Sequence, residues 1–260
     1  MKDRRKWLWI AVVAILAWIC AKGARTIMKA ATGNNTSYGT IRNVIEYHAD
    51  NLILETGAAE VSIVQGGIND AYLVETNIQD LDINEDKRVL SIHDESSIFM
   101  DEKAWIRITI PDGHVFNDVE IDTGAGTLDI EKLTTDYLDL DIGAGAVTIN
   151  QISVPMQAGI STGAGRLFIG NCFMMNADLD LGTGEVRVNG ELMGESRVNC
   201  GIGKVDLVLR GNDYTIDFDS GAGEADLNGQ VMHEGTYGNG SNIIEIDGGI
   251  GEISVRTEEL

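Results

Sequence analysis

The chain has 260 residues, 43% of them apolar, with 31 glycines and only 2 prolines. That is long enough for a sizeable core and unlike either collagen or a disordered tract. Lys2, Arg4, Arg5, Lys6, Lys22, Arg25 and Lys29 hold seven of the 19 basic residues, so residues 31–260 carry 12 basic and 40 acidic side chains, a net charge of −28. A surface of that sign excludes nucleic acid as a partner.

The first element is an apolar run of 15 residues from Trp7 to Ala21. As a helix it extends roughly 22 Å, short against a bilayer core of about 30 Å. Lys6 and Lys22 can snorkel, and Trp7, Trp9 and Trp18 suit the membrane interfaces. The expectation is a cytoplasmic basic stub (1–6), a transmembrane anchor (7–23), a polar tether (24–40) and an extracytoplasmic domain (41–260). The chain would then be a single-pass protein of a bacterial cell membrane, with the membrane as a partner through its N-terminal helix. A cleaved signal peptide is the open alternative, with Ala21 and Gly23 as small-residue positions; a buried soluble helix is a third.

Residues 41–116 read as irregular rungs or the N-terminal cover of the same domain. Leu52, Leu54, Gly57, Val61 and Ile63 fit the later repeat, with Ala59 in place of its second glycine. Strands are expected at Tyr72–Glu75, Val89–His93 and Trp105–Ile110, then a turn at Pro111-Asp112-Gly113.

Regular repeats occupy residues 117–256. A Gly-x-Gly recurs at Gly124/Gly126, Gly143/Gly145, Gly163/Gly165, Gly182/Gly184, Gly201/Gly203, Gly221/Gly223 and Gly249/Gly251, at spacings of 19, 20, 19, 19, 20 and 28. A fixed period of this size marks a solenoid or array. Positions five and three before, and four and six after, each first glycine number 28, and only Ser196 among them is not apolar. This alternation on both flanks predicts strand, glycine corner, strand and return in every repeat. The glycines are structural turn residues, needed where stacked corners approach closely.

Charges at equivalent positions alternate from repeat to repeat: Arg166, Glu185, Lys204, Glu224; and Asp178, Arg197, Asp217; with Arg187 opposite Asp206. Such matching is useful only if equivalent residues are neighbours in a parallel stack. The fold expected is therefore all-β, a single parallel β-helix (β-solenoid) of 19–20-residue rungs stacked in chain order.

This pattern resembles a bacterial family of adhesin-like, β-strand-repeat (LiaG-like) proteins of unknown function. The resembling residues are Trp105-Ile-Arg-Ile-Thr-Ile-Pro-Asp-Gly113, Val119-Glu-Ile-Asp-Thr-Gly-Ala-Gly126 and Asp141-Ile-Gly-Ala-Gly-Ala-Val-Thr-Ile149, over about residues 41–256. The resemblance implies a cell-envelope location with adhesive or envelope-stress roles, and it transfers no catalytic residue.

Two and four residues before the first glycines lie Glu120, Asp122, Asp139, Asp141, Asp178, Asp180, Asp217, Asp219, Glu245 and Asp247. This acidic stripe reads first as a solvated face. Asp122, Asp141, Asp180, Asp219 and Asp247 are its calcium candidates, although Gly248-Gly249-Ile250-Gly251-Glu252-Ile253 lacks the aspartate of a calcium nonapeptide. Asp139/Asp141 and Asp178/Asp180 are the pairs a carbohydrate-active β-helix enzyme would use, but they recur by repetition, so no catalytic residue and no cofactor is assigned. The expected function is a non-enzymatic, adhesin-like binding or scaffold module acting on an envelope protein or surface polymer, with an envelope-stress sensor as the alternative. The 28-residue spacing before Gly249 predicts a projecting loop with Tyr237 as a binding contact. Cys172 is expected in the core, and its pairing with Cys200 stays open.

Overall fold

The computed structural model describes residues 40–258 except 47, 67–70, 95–102 and 220; the expected anchor and tether lie outside them. Every described element is a strand. Among the described residues no helix is long and apolar enough to cross a membrane. The first half holds β1 (Ile41–Ile45), β2 (Asn51–Thr56), β3 (Glu60–Gln65), β4 (Tyr72–Thr76), β5 (Asp82–Asp86), β6 (Val89–Asp94) and β7 (Trp105–Ile110). Long strands come next: β8 (Phe116–Val154), β9 (Gln157–Met175), β10 (Ala177–Met193) and β11 (Glu195–Arg210). The chain ends with β12 (Tyr214–Asp219), β13 (Ala222–Leu227), β14 (Gln230–Val231), β15 (Gly235–Gly238) and β16 (Asn242–Glu258).

The repeats lie parallel and in register. Leu138, Gly145 and Val147 of β8 pair with Ala158, Gly165 and Leu167 of β9, which pair with Ala177, Gly184 and Val186 of β10. β11 continues the ladder, Val198, Gly203 and Val205 following Leu179, Gly184 and Val186. Of the 28 apolar-patterned positions, 26 are buried; Ala225 and Leu227 are the half-buried pair, and both sit on β13 at the end of the stack. Ser196, the polar exception, is accommodated because its hydroxyl accepts from Ala177 N at 3.2 Å and donates to Met193 O at 3.4 Å.

The two glycines of each corner serve different needs. A Cβ on Gly143 would stand 2.4 Å from Gly124 O, so the first glycine is set by close approach of backbones. Gly145 has φ near +151° and its Cβ would meet Gly126 O at 1.9 Å, so the second glycine is set by both conformation and space.

The return segment is also a buried strand, where the glycine period predicts only a short connection. Ile152 pairs with Cys172 and Val154 with Met174, while Leu192 pairs with Met174; all are buried, as are Leu133, Thr135 and Leu209 on this side. The ladder shifts register between Val188 and Gly190, which places Gly190 against Cys172. A Cβ on Gly190 would stand 2.2 Å from Cys172 O and 2.6 Å from both its N and its Sγ, so the glycine is set by close approach to the Cys172 backbone as well as to its sulfur. Cys172 is a free thiol, buried as expected.

Stacking in chain order fails at both ends. β11 pairs not with β12–β13 but with β16, and β12 and β13 pair with the far edge of β16. The last strand is thus inserted between the two segments that precede it. The 28-residue spacing follows from this insertion: residues 228–241 do not project as a plain loop but form β14, antiparallel to β13, and β15, antiparallel to β12. They close the stack and carry the chain back one level.

At the N-terminal end the order is reversed in the same way. Leu52, Leu54, Val61 and Ile63 align with Val119, Ile121, Leu128 and Ile130, as the residue pattern predicts. β6 and β7, later in the chain, lie outside β2 and β3. β5 then caps β6, and β4 and β1 cap β7, all antiparallel. The turn at 111–113 forms, with His114 N donating to Pro111 O at 3.2 Å.

Candidate functional site: the acidic columns

Residues two and four before each corner alternate with the buried positions, so the pleat puts them on the outer face. Their neighbours follow the observed rung order. In one column, Ile53 pairs with Glu120; Asp139, Gly159, Asp178, Arg197, Glu245 and Asp217 come after it. In the other, Glu55 pairs with Asp122, and Asp141, Ser161, Asp180, Asn199, Asp247 and Asp219 come after it.

The stripe is therefore interrupted. Gly159 and Ser161 separate Asp139 and Asp141 from Asp178 and Asp180. Arg197 and Asn199 separate those in turn from the last group, where Glu245 and Asp247 lie beside Asp217 and Asp219. Of the calcium candidates, Asp122 and Asp141 are neighbours, Asp247 and Asp219 are neighbours, and Asp180 stands between Ser161 and Asn199. No cluster of three or more potential metal ligands exists among the described residues.

The densest group is Glu55, Glu120, Asp122, Asp139 and Asp141. Partial burial between rungs, then the charges of Asp139 and Glu55, raises the Glu120 carboxyl above its ordinary range. Asp122 is raised by burial and by Asp141, and Asp139 by burial and by Asp141. On one side this group is bordered by His93, whose Nδ1 lies 2.7 Å from Glu55. What the arrangement offers is a crowded, proton-retaining carboxylate surface rather than a pair in fixed acid–base roles.

Across the stack, cations pair with acids at the positions set by the inserted strand. Lys204 meets Glu252 at 3.0 Å, not Glu224 as chain-order stacking predicts; Glu224 is on the far side of Glu252. Arg197 meets Glu245 at 2.6 Å instead of Asp217. Arg187 does face Asp206, at 3.1 Å.

Tyr237 lies on β15 opposite Ile216 and packs on the core. Its hydroxyl accepts from His233 N at 2.7 Å and donates to His233 O at 2.8 Å, which ties the closing segment together. Beside it a cavity of about 400 Å³ opens between Phe218, Met232 and Ile253 at its floor and Glu224, Glu234 and Glu252 at its rim.

Residue patterning missed a cluster at the opposite end. Tyr72 and His114 meet at 3.0 Å, His114 stacks edge-on against Phe116 at 4.4 Å, and His48 lies 5.8 Å from His114. Burial and the neighbouring His48 lower the His114 pKa, and burial pushes the Tyr72 phenol up to about 12. The four residues are scattered over 48–116, so no spacing announced them; the antiparallel cover gathers them.

A family model described as Toastrack DUF4097 matches residues 46–248. The chain belongs to that family. The match takes in most of the N-terminal cover, from residue 46, and the repeats as far as residue 248. No curated protein matches the chain. Among solved structures it is similar to a candidate cell adhesion protein from Clostridium sporogenes, at 11% identity and a TM-score of 0.39, covering 85% of this chain and 100% of that one. It is also similar to a candidate adhesin from Bacteroides fragilis, at 12% identity and a TM-score of 0.34, covering 87% and 100%. A candidate lipid-binding protein from Parabacteroides distasonis is similar at 13% identity and a TM-score of 0.37, covering 84% and 96%. Likeness at that level carries no argument about what this chain binds.

Proposed function

We propose that the chain is a non-enzymatic protein of the bacterial cell envelope, in which residues 7–23 anchor a single parallel β-solenoid outside the cytoplasmic membrane. The solenoid serves as an adhesin-like binding or scaffold module, a stiff acidic rod that engages an envelope protein or surface polymer. One observation carries the reading: the outward residues beside the corners stack in register, so that the stack presents successive blocks of carboxylates broken at Gly159 and Ser161 and again at Arg197 and Asn199. Carboxylate blocks spread along a stack suit an extended cationic partner better than a single small substrate.

The test is a full-length chain with a C-terminal reporter active only outside the cytoplasm, expressed beside a deletion strain. Reporter activity with loss of surface attachment in the deletion, restored by the full chain, is the outcome expected. A cytoplasmic reporter signal removes the anchor topology, and unchanged attachment removes the adhesive role.

Envelope-stress sensing is the second reading, favoured by the cluster of buried Tyr72, half-buried His114 and exposed His48 at the N-terminal end of the stack. Crosslinking that captures partners of residues 1–40 alone would favour it.

A further inference from the structure

Four strands pair on one side only among the described strands of the 16-stranded sheet: β5 and β1 at one end, β14 and β15 at the other. An open edge presents unpaired N–H and C=O groups, and proteins guard such edges with charge, brevity or glycine. β5 carries Asp82, Glu85 and Asp86, all exposed; β14 has 2 residues; β15 has 4, of which Gly235 and Gly238 are glycines. β1 has no acid and no glycine, and its one charged residue, Arg42, is held by Glu75 of its neighbour β4. β1 is 5 residues long, Ile41-Arg-Asn-Val-Ile45, with Val44 62% exposed. Its one neighbour among the described strands is β4.

We infer that this edge is completed by a second copy of the chain, β1 pairing antiparallel with β1 about a twofold axis at Val44. The sequence around the axis is self-complementary. With Val44 opposite Val44, Arg42 of each copy faces Glu46 of the other, and Asn43 faces Ile45. Arg42, Val44 and Glu46 are all exposed and share the outward face, while Ile45 is buried on the inner face. Pairing therefore brings two exposed valines together and makes two opposite-charge cross-strand pairs without moving an inward side chain. Arg42 already contacts Glu75 of β4 at 2.8 Å, which holds it in place at the edge. A body with 28 excess negative charges resists self-association over its long faces, so contact is directed to an end. A shift of register by one residue would set the outward face of one copy beside the inward face of the other and lose both charge pairs.

The test uses the purified full-length chain carrying Val44→Cys, oxidised gently, with disulfides mapped by mass spectrometry; Val231→Cys, 73% exposed at the other end, is the control. The expected result is a 44–44 intermolecular disulfide at least tenfold above the 231–231 yield. Adding Glu46→Arg should lower that yield to the control level, and adding Arg42→Glu to that variant should restore it. Thermal melts of every variant are run alongside, so loss of pairing is read only at unchanged melting temperature. A 44–44 yield equal to the control overturns the proposal. So does a disulfide from position 44 to Cys20, which would put the chain's own N-terminal segment on the edge.

Discussion

Arg256 donates to Asp206 Oδ1 at 2.6 Å, although 50 residues separate them in sequence. The other oxygen of the same carboxylate accepts from Arg187 Nε at 3.1 Å. Asp206 is 8% exposed, whereas both arginines are about half exposed, so the carboxylate is the buried member of a three-residue bridge across β10, β11 and β16. Removing it leaves two guanidinium groups facing each other over an emptied position. Asp206→Ala should destabilise by about 2 kcal/mol, and Arg256→Ala by about half that, because that head group stays hydrated when unpaired. Thermal melts of the three proteins check the ranking; equal effects would mean that the bridge contributes through packing alone.

The carboxylates of Glu120, Asp122 and Asp139 are raised in the folded state by burial and by one another. A raised folded-state value means that the folded chain holds protons more tightly than the unfolded chain. These groups therefore favour folding below their unfolded values, near 4, and lose that contribution as pH rises through their folded values. Between neutral pH and about pH 5, acidification should stabilise this region. Glu120→Gln, Asp122→Asn and Asp139→Asn combined should melt higher than the parent at pH 7, with a smaller gain on acidification. Added salt should help the parent more than the triple variant. A parent that melts lower at pH 5 than at pH 7, with the triple variant unchanged in slope, would contradict the repulsive reading.

Burial pushes the Cys172 thiol up to about 12, with Gly190 packed against its sulfur. Alkylation at pH 8 needs both the thiolate and access to it. Peptide mapping after iodoacetamide treatment should find Cys172 unmodified in the folded protein and fully modified in urea. Rapid labelling of the folded chain would show that the stack opens at that rung on the labelling timescale.

The inward columns, the glycine corners and the parallel register were legible because each is dictated by a repeated steric demand. The rung order at the ends was not, and the reason is visible in the charges. Lys204 is matched equally well by Glu224 or Glu252, and Arg197 by Asp217 or Glu245, so the residues flanking the insertion are degenerate. The backbone ladder is indifferent to which copy stacks where. The one signal in the sequence was the long spacing before Gly249, which has enough residues for a closing hairpin and a return of one level. Likewise the crowded carboxylates could be counted from sequence, but the breaks at Gly159, Ser161, Arg197 and Asn199 matter only once neighbours are known.

The corners offer the sharpest test of the stack itself. Gly145 is in the left-handed region, and a methyl there would sit 1.9 Å from Gly126 O; a methyl on the next rung's Gly165 would likewise sit 1.8 Å from Gly145 O. No side chain can rotate away, because each contact is backbone on backbone. Gly145→Ala must therefore part the rungs, at a cost of about 3 kcal/mol or more. Gly113 also has a positive φ, near +70°, but has open space around its Cβ. Gly113→Ala bears only the conformational penalty, about 1 kcal/mol. Hydrogen exchange should separate the two further: Gly145→Ala should speed exchange in β8 and β9 together, while Gly113→Ala should leave them protected. If both variants cost the same, the corner glycines are needed for their backbone angles alone, and tight stacking is not what selects them.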